Sequence, residues 1–338
     1  MSNAYDKPLH QNLYYEQELE SLPSLKGKTI AITGTTSGTG YVAAIAVARK
    51  GARVILLNRP SERQSTSLLK MQKMVPEGEF ISLDCDLQSF KSVRKAAAEV
   101  NQLCKEGLDV LCNNAGVMAL QDVATDEGYD IQMQTNHLSH FLLTKELFKS
   151  LQKASELRSE ARIVNHSSLA RFGVKKIEGK YLEKNGGNLG GNGSSMMLFP
   201  GGRWLRYSQT KLANAVFTAA LDDKLKIKNS KIKSLVAHPG LAVTDLQSTT
   251  INDGGMSRWS TGLMMKMGQS QEDGAIGILK CIADPGASSG DFFGPGSGKM
   301  AGKGPVIKFN IEQSSNTDKN KDLLWSKSCE AIGEDFVI

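Results

Sequence analysis

Short apolar runs alternating with helix-like stretches constrain this chain more than any other feature of its sequence. TIAIT (29–33), RVILL (53–57), EFISL (79–83), LDVLC (108–112), RIVNH (162–166) and KSLVAH (233–238) are separated from one another by helical patterns. Continuous apolar runs of this length read as strands buried on both faces, and a strand that returns parallel to its predecessor needs a crossover long enough to hold a helix. The pattern therefore predicts an α/β fold: a single doubly wound domain with a mainly parallel sheet and helices on both faces. Helices are expected from about Gly38, after Pro60, over about 89–105, from about Asp126 to Lys153 and around Tyr207. With 338 residues, 40% of them hydrophobic, the chain is long enough to bury one large core.

The first strand runs into TGTTSGTG (33–40), which opens the first helix. This is the context in which a glycine-rich turn holds a dinucleotide pyrophosphate. Gly34 permits the sharp turn, Gly38 lets backbone N–H groups approach, and Gly40 lets helix and strand pack closely; Thr36, Ser37 and Thr39 fill the turn. The second strand ends in ILLNRP, so Asn58 and Arg59 stand where an acidic residue would bond the ribose of NAD. A guanidinium in place of a carboxylate favours NADP(H) over NAD(H). A solvated surface Arg59 is the alternative.

RYSQTKLAN (206–214) sets Tyr207 four positions before Lys211, on one helix face. A free phenol, with a pKa near about 10, is a poor acid and base at neutral pH, and a fixed cation beside it favours the phenolate. The pair suits proton exchange with a substrate oxygen. An amphipathic helix with a half-buried ring and a solvated lysine has the same spacing, which alone does not decide between them.

The glycine turn is followed in order by CDLQS (85–89), NNAG (113–116), TNHLSHFLLT (135–144), IVNHSS (163–168), YSQTK (207–211) and HPGLAVT (238–244). Over roughly residues 27–295 the chain resembles the short-chain dehydrogenase/reductase family. NHLSHFLLT, KLAN and SGDFFGP (289–295) are similar to its retinol-dehydrogenase-like branch and the relatives around protochlorophyllide reductase. The resemblance implies that Asp86 and Leu87 border the adenine. It places Asn113, Asn114, Ala115 and Gly116 along the ribose and fourth strand, and Pro239, Gly240 and Thr244 at the nicotinamide end. It further implies Tyr207 as general acid/base, Lys211 as the group that lowers the Tyr207 pKa and binds the nicotinamide ribose, Ser168 as hydrogen-bond partner of the substrate oxygen, and Asn136 as anchor of a relay water. Ser167 is an alternative hydroxyl, because strand alternation points only one of the two into a site.

The reaction implied is hydride transfer between NADP(H) and a small-molecule carbonyl or alcohol, lipophilic and retinoid-, steroid- or pigment-like. It is preferred over reduction of a carbon–carbon double bond or light-dependent pigment reduction. The rival is an NADP(H)-binding regulatory or scaffold protein, against which the intact Asn136, Ser168, Tyr207 and Lys211 set argues. The family pairs through the helix carrying Asn136 and the helix carrying Tyr207, which implies a homodimer or homotetramer.

Two stretches depart from the family pattern. NGGNLGGNGSSMMLFPGG (185–202) lengthens the interval between Ser168 and Tyr207, and reads either as a lid or wall of the substrate pocket or as a disordered surface loop. Residues 241–270 are rich in Met, with Met256, Trp259, Leu263, Met264, Met265 and Met267, and read as a substrate-covering segment or as core. The domain is expected over 27–300, with an N-terminal extension (1–26) and a C-terminal extension (301–338).

A net charge of +6 is spread along the chain rather than gathered in a block, which argues against a nucleic-acid surface. Five widely spaced cysteines without a CxxC fit reduced thiols in the cytoplasm. No signal or transit peptide is recognised, and no apolar run approaches the roughly 18 residues of a membrane span. No metal is expected from five histidines lacking HxH or HExxH. His166, in a place where such strands usually carry an aliphatic residue, reads as a satisfied buried imidazole, and His137 and His140 as helix surface or interface.

Overall fold

Among the described residues of the computed structural model (10–185, 187–195, 201–257, 261–262, 265–296, 301–313 and 315–338), eight strands form one sheet in the order β3-β2-β1-β4-β5-β6-β7-β8. β1 (Thr29–Thr33), β2 (Arg53–Asn58), β3 (Glu79–Asp84), β4 (Val110–Asn113), β5 (Ala161–His166), β6 (Ile232–Ala237) and β7 (Phe292–Pro295) run parallel. β8 (Val306–Phe309) closes the edge antiparallel to β7. The order reverses at β1, between β2 and β4, and a doubly wound sheet opens its binding crevice at the carboxyl ends of the strands beside that point.

The crossovers are α2 (Gly38–Arg49), α3 (Glu62–Met74), α4 (Phe90–Leu103), α6 (Ser139–Arg158), α7 (Gly202–Ile227) and α9 (Gln271–Ala283). A single turn, α5 (Ile131–Met133), leads through a π turn (Gln134–Leu138) into α6. α1 (Tyr15–Ser21), α8 (Asp245–Asn252) and α10 (Asp318–Ile332) lie outside the alternation. Short side chains decide the close approaches. α2 buries Ala43, Ala44, Ala46 and Ala48, and Gly277 lets α9 approach β6, where a Cβ would lie 3.2 Å from that of Ala237. The opposite face of the sheet is covered by α4, α6 and α7, and α10 joins the same larger core from outside them.

Both terminal segments are built into this body. Leu13, Tyr14 and Tyr15 donate their backbone N–H groups to the buried Asp273 carboxylate at 2.8, 3.0 and 3.0 Å, which fastens α1 to the first turn of α9. Residues 301–338, set apart by the sequence as an extension, supply β8 and α10. Trp325 and Phe336 meet Phe141 of α6 edge to face at centroid distances of 5.3 and 5.5 Å, and Trp325 lies 6.0 Å from Phe217 of α7. α10 thus occupies the outer face of α6 and α7.

The reading of His137 and His140 as surface or interface residues is overturned, because both rings are fully covered. His140 bridges Thr33 Oγ1 (2.9 Å) and the Asn136 carbonyl (3.1 Å), and His137 Nε2 meets Ser328 Oγ of α10 at 2.9 Å. Burial pushes both imidazoles down, to about 4 and about 3. They serve as neutral ties between elements. Among the described residues no helix is long and apolar enough to cross a membrane, and no group of three or more His, Cys, Asp or Glu is placed to hold a metal.

Candidate active site

At the end of β1 the chain turns through Gly34 at φ +72°, where a Cβ would lie 2.7 Å from that of Ala115. A Cβ on Gly40 would lie 2.3 Å from Asn114 Nδ2. Only glycine allows these approaches, and they bring the glycine turn against the loop after β4. Asn114 fixes the join: Nδ2 donates to the carbonyls of Thr33 (2.8 Å) and Gly34 (3.2 Å), while Oδ1 accepts from Thr39 Oγ1 (3.1 Å). Asn58 at the end of β2 is spent on the turn as well, accepting from Thr35 N at 2.7 Å and donating to Thr35 Oγ1 at 2.8 Å.

The second half of the site comes from β5 and α7. Ser167 and Ser168 separate cleanly. Ser167 is fully buried and donates to the Lys211 carbonyl at 2.7 Å, whereas Ser168 is half-buried, caps a short 3₁₀ turn (Leu169–Gly173) and lines the cavity with Tyr207. Lys211 Nζ lies 5.7 Å from the Tyr207 ring centroid and donates to the His166 carbonyl at 3.1 Å. Burial pushes the phenol up to about 12, a rise opposed by the Ser168 hydrogen bond, and pulls the ammonium down to about 8. The lowered phenol that the resemblance implies is therefore not what this geometry produces, because desolvation of the ring outweighs its polar neighbour. Lys211 still carries its charge at neutral pH.

Asn136 sits in the π turn, a helix irregularity that often marks functional positions. Its Oδ1 accepts from Val117 N at 2.8 Å, and its Nδ2 donates to the Val117 carbonyl and Thr210 Oγ1, both at 2.9 Å. The side chain thereby clasps the loop after β4 to α7, directly behind Gly116 and Lys211.

A cavity of about 580 Å³ joins the two halves. Gly34, Thr36, Ser37, Gly38 and Thr39 of the turn line it, together with Asn114, Ala115 and Gly116 after β4, Ser168 after β5, Tyr207 and Lys211 of α7, and Pro239, Gly240 and Thr244 after β6; Thr244 lies against Gly38, where a Cβ would come 3.2 Å from its own. Gly40 and Asn136 stand behind this wall, and Arg59, Asp86 and Leu87 are not part of it. Arg59 is exposed at the end of β2, Asp86 accepts from Gln88 N at 2.9 Å in its own turn, and Leu87 is buried in the core. Asn113 points away, donating to Thr144 Oγ1 and Asn165 Oδ1 at 3.0 Å.

Near Tyr207 the cavity wall is apolar, with Met118, Trp204 and Leu246 lining it and Met256 packed against the same cluster. Trp204 Nε1 donates to the Gly255 carbonyl (3.2 Å) and Thr250 Oγ1 to the Met118 carbonyl (2.9 Å), so the segment after Thr244 closes over the site as a wall. Trp259, Leu263 and Met264 lie outside the described residues; Met265 is buried and Met267 exposed.

The insert is tied down as well. Leu189 and Gly191 donate to Asp122 Oδ2 at 2.8 Å, and the fully buried Arg206 donates to the Leu189 and Gly191 carbonyls at 3.2 and 2.9 Å. The described part of residues 185–202 is a surface loop tied to the body through Leu189 and Gly191, with 191–195 exposed and none of its described residues lining the cavity; residues 186 and 196–200 lie outside the described residues.

Sequence reasoning missed Arg63 and Trp204. Arg63 Nη2 donates to Ser37 Oγ (3.1 Å) and Asp245 Oδ2 (2.6 Å), bridging the glycine turn and α8 at the cavity mouth. Nothing in its local sequence signals that reach. Trp204 was legible in principle, since it stands three positions before Tyr207 on the same helical face.

A nucleotide-sized cleft at the switch point, lined by a serine, a tyrosine and a lysine, defines a class, and the sequence comparisons agree with it. A profile of the short chain dehydrogenases matches residues 28–181. The chain belongs to the short-chain dehydrogenase/reductase family of oxidoreductases, in its retinol-dehydrogenase-like part. It is 29% identical to human retinol dehydrogenase 13 over 320 residues, 93% of this chain and 87% of that protein. An uncharacterised oxidoreductase of Schizosaccharomyces pombe is 35% identical over 227 residues, 67% of this chain and 63% of that protein's length. A solved structure of a Mycobacterium paratuberculosis protein is similar at a TM-score of 0.71 and 29% identity, covering 95% of this chain and 98% of that one.

Proposed function

We propose that this chain is an NADP(H)-dependent oxidoreductase acting on the carbonyl or alcohol group of an apolar small molecule. The observation that carries the reading is that Ser168, Tyr207 and Lys211 line one cavity together with the glycine turn, with the Lys211 ammonium 5.7 Å from the Tyr207 ring centroid. The residues fit a dinucleotide: Gly34 and Gly40 let the turn pack directly against Ala115 and Asn114 beside the cavity, and α2 presents its N-terminus to the turn. A nicotinamide dinucleotide, when bound, supplies or accepts the hydride. Ser168 and Tyr207 hold the substrate oxygen with two hydroxyls already in place as negative charge grows on it, and Tyr207 gives up its proton to that oxygen. Lys211 offsets the charge left on the phenolate.

The preference for NADP(H) rests on the end of β2. Asn58 leaves no carboxylate there to repel a 2′-phosphate, and two guanidinium groups are nearby: Arg59, exposed, and Arg63, already bonded to Ser37. The apolar wall of Met118, Trp204 and Leu246 supports a lipophilic substrate, and the name of retinol dehydrogenase 13 makes retinoids the first class to try.

Oxidation of NADPH and NADH with a panel of retinoid, steroid and aromatic carbonyls tests the reading. Tyr207→Phe is expected to bind NADPH within about twofold of wild type and to lose at least about 100-fold in turnover, the scale of general acid/base catalysis. Arg63→Ala is expected to weaken NADPH about tenfold and leave NADH unchanged, as for a charged hydrogen bond. Undiminished turnover in Tyr207→Phe refutes the catalytic assignment.

A further inference from the structure

The turn that begins at Ser168 is fastened from outside the cavity by one buried cation. Ser168 Oγ accepts from Ala170 N at 3.2 Å, which uses a lone pair and leaves its O–H to donate. The Ser168 carbonyl accepts twice from Arg171, from the backbone N–H at 3.2 Å and from Nη1 at 3.0 Å. The rest of the guanidinium faces Glu312, three residues past β8, with Nε 3.2 Å from Oε2 and Nη2 2.9 Å from Oε1. Arg171 is fully buried, and only 14% of the Glu312 side chain is exposed. The guanidinium also lies over the rings of Phe172 at 4.1 Å and Phe292 of β7 at 4.5 Å. Glu312 is held in its turn, because its neighbour Ile311 is buried in one cluster with Ala215 and Ala219 of α7. Neither Arg171 nor Glu312 lines the cavity.

Stability does not require charge at this place. Two apolar side chains would pack among the same aromatic rings without the cost of burying two ions, and such replacements are often neutral or stabilising. What an apolar side chain cannot do is hold the Ser168 carbonyl. The planar fork does both tasks in one fixed geometry: two nitrogens take the carboxylate side by side and the third reaches the carbonyl.

We propose that Arg171, oriented by Glu312, is a positioning residue for Ser168: it fixes the backbone there so that the hydroxyl meets the substrate oxygen beside Tyr207. The inference rests on the catalytic reading of Ser168 above. Through this contact the segment after β8 takes part in catalysis without touching the substrate.

Kinetics with NADPH and whichever carbonyl of the panel wild type reduces fastest, together with fluorescence titration of NADPH, test the assignment. Arg171→Lys keeps the charge but loses the fork, and the paired replacement Arg171→Met with Glu312→Leu removes both ions and keeps an apolar filling. Each is expected to lose about 10-fold in kcat, the scale of a small misplacement of a reacting group, with KM and NADPH affinity within about twofold of wild type. In a Ser168→Ala background the same replacements are expected to cost less than about twofold, because the hydroxyl they aim is gone. A tenfold loss that persists in that background shows a general structural role and overturns the proposal, as does wild-type kcat in the Met and Leu pair. Should Arg171→Lys fail to fold, the apolar pair carries the same comparison. Ser168→Ala with undiminished kcat overturns the catalytic reading of Ser168 and this inference with it, and a wild type that reduces none of the panel overturns the proposed function itself.

Discussion

The neighbours Ser167 and Ser168 show how one position along a strand changes the role of the same side chain. Ser167 Oγ supports the Lys211 carbonyl from within the core, and Ser168 lines the cavity with Tyr207. Ser168→Ala is expected to lose about 100-fold in kcat as well as about 1 kcal/mol with its cap, whereas Ser167→Ala loses about 1 kcal/mol of stability and keeps most of its activity. Parallel kinetics and urea unfolding of the two variants check this; reversed behaviour would exchange their roles. Lys211 carries a cost of another kind. Its folded pKa of about 8 lies below the ordinary 10.5, so folding disfavours the charged form. That cost is complete below pH 8, where folded and unfolded chains are both protonated, and it fades between pH 8 and 10.5 as the folded form alone loses its proton. At about 1.4 kcal/mol per pKa unit, less about 1 kcal/mol for the lost bond to His166, Lys211→Met is expected to gain about 2 kcal/mol at pH 7. The gain should shrink toward pH 10.5 while turnover is lost. Urea titrations at pH 7 and pH 10 measure it, and a variant no more stable than wild type at pH 7 contradicts the argument.

At the scale of elements, a buried cation organises the loops around α7. Arg206 pairs with Asp130 at 3.0 Å and Asp122 at 3.5 Å, and donates to carbonyls from the insert and to that of Leu120 in the loop after β4. Burial pushes Asp130 up to about 6 against the pull of the Met133 backbone N–H and Arg206. Asp122 holds the insert on the other side through Leu189 and Gly191. Removing one partner from such a network leaves buried charge uncompensated, so Asp122→Ala is expected to cost about 3 kcal/mol and to open residues 187–195 to limited proteolysis. A variant as protease-resistant as wild type would show that the insert is held by other contacts. The glycine-rich composition of this stretch identified it as a loop and no more. Its order comes from Asp122, Arg203 and Arg206, which are distant from it in sequence or belong to α7, and a composition reading takes no account of such partners.

For the molecule as a whole, the C-terminal helix decides which surfaces remain available. α10 lays Trp325 over Phe141 and Phe217, with Phe336 beside them, on the outer face of α6 and α7. Pairing of two copies through that face, as the family resemblance implies, requires the same aromatic surface to be free. The chain is therefore expected to sediment as a 36.6 kDa monomer at micromolar concentration, and a dimer that cross-links through α6 and α7 would overturn this account. Truncation before Asp318 is expected to expose the aromatic cluster and cause self-association, read by sedimentation velocity.

Much of the molecule was legible before any coordinates, because its signals are local. Alternating apolar runs set the sheet, glycines whose missing Cβ atoms admit Ala115 and Asn114 set the turn, and a four-residue spacing set Tyr207 and Lys211 on one face. Long-range packing decided the rest. Desolvation that the sequence does not display raised the phenol of Tyr207, and the same packing buried His137 and His140. Burial and facing direction depend on residues tens to hundreds of positions away. Local spacing fixes which groups lie on one face of an element, and only the assembled fold fixes what that face meets.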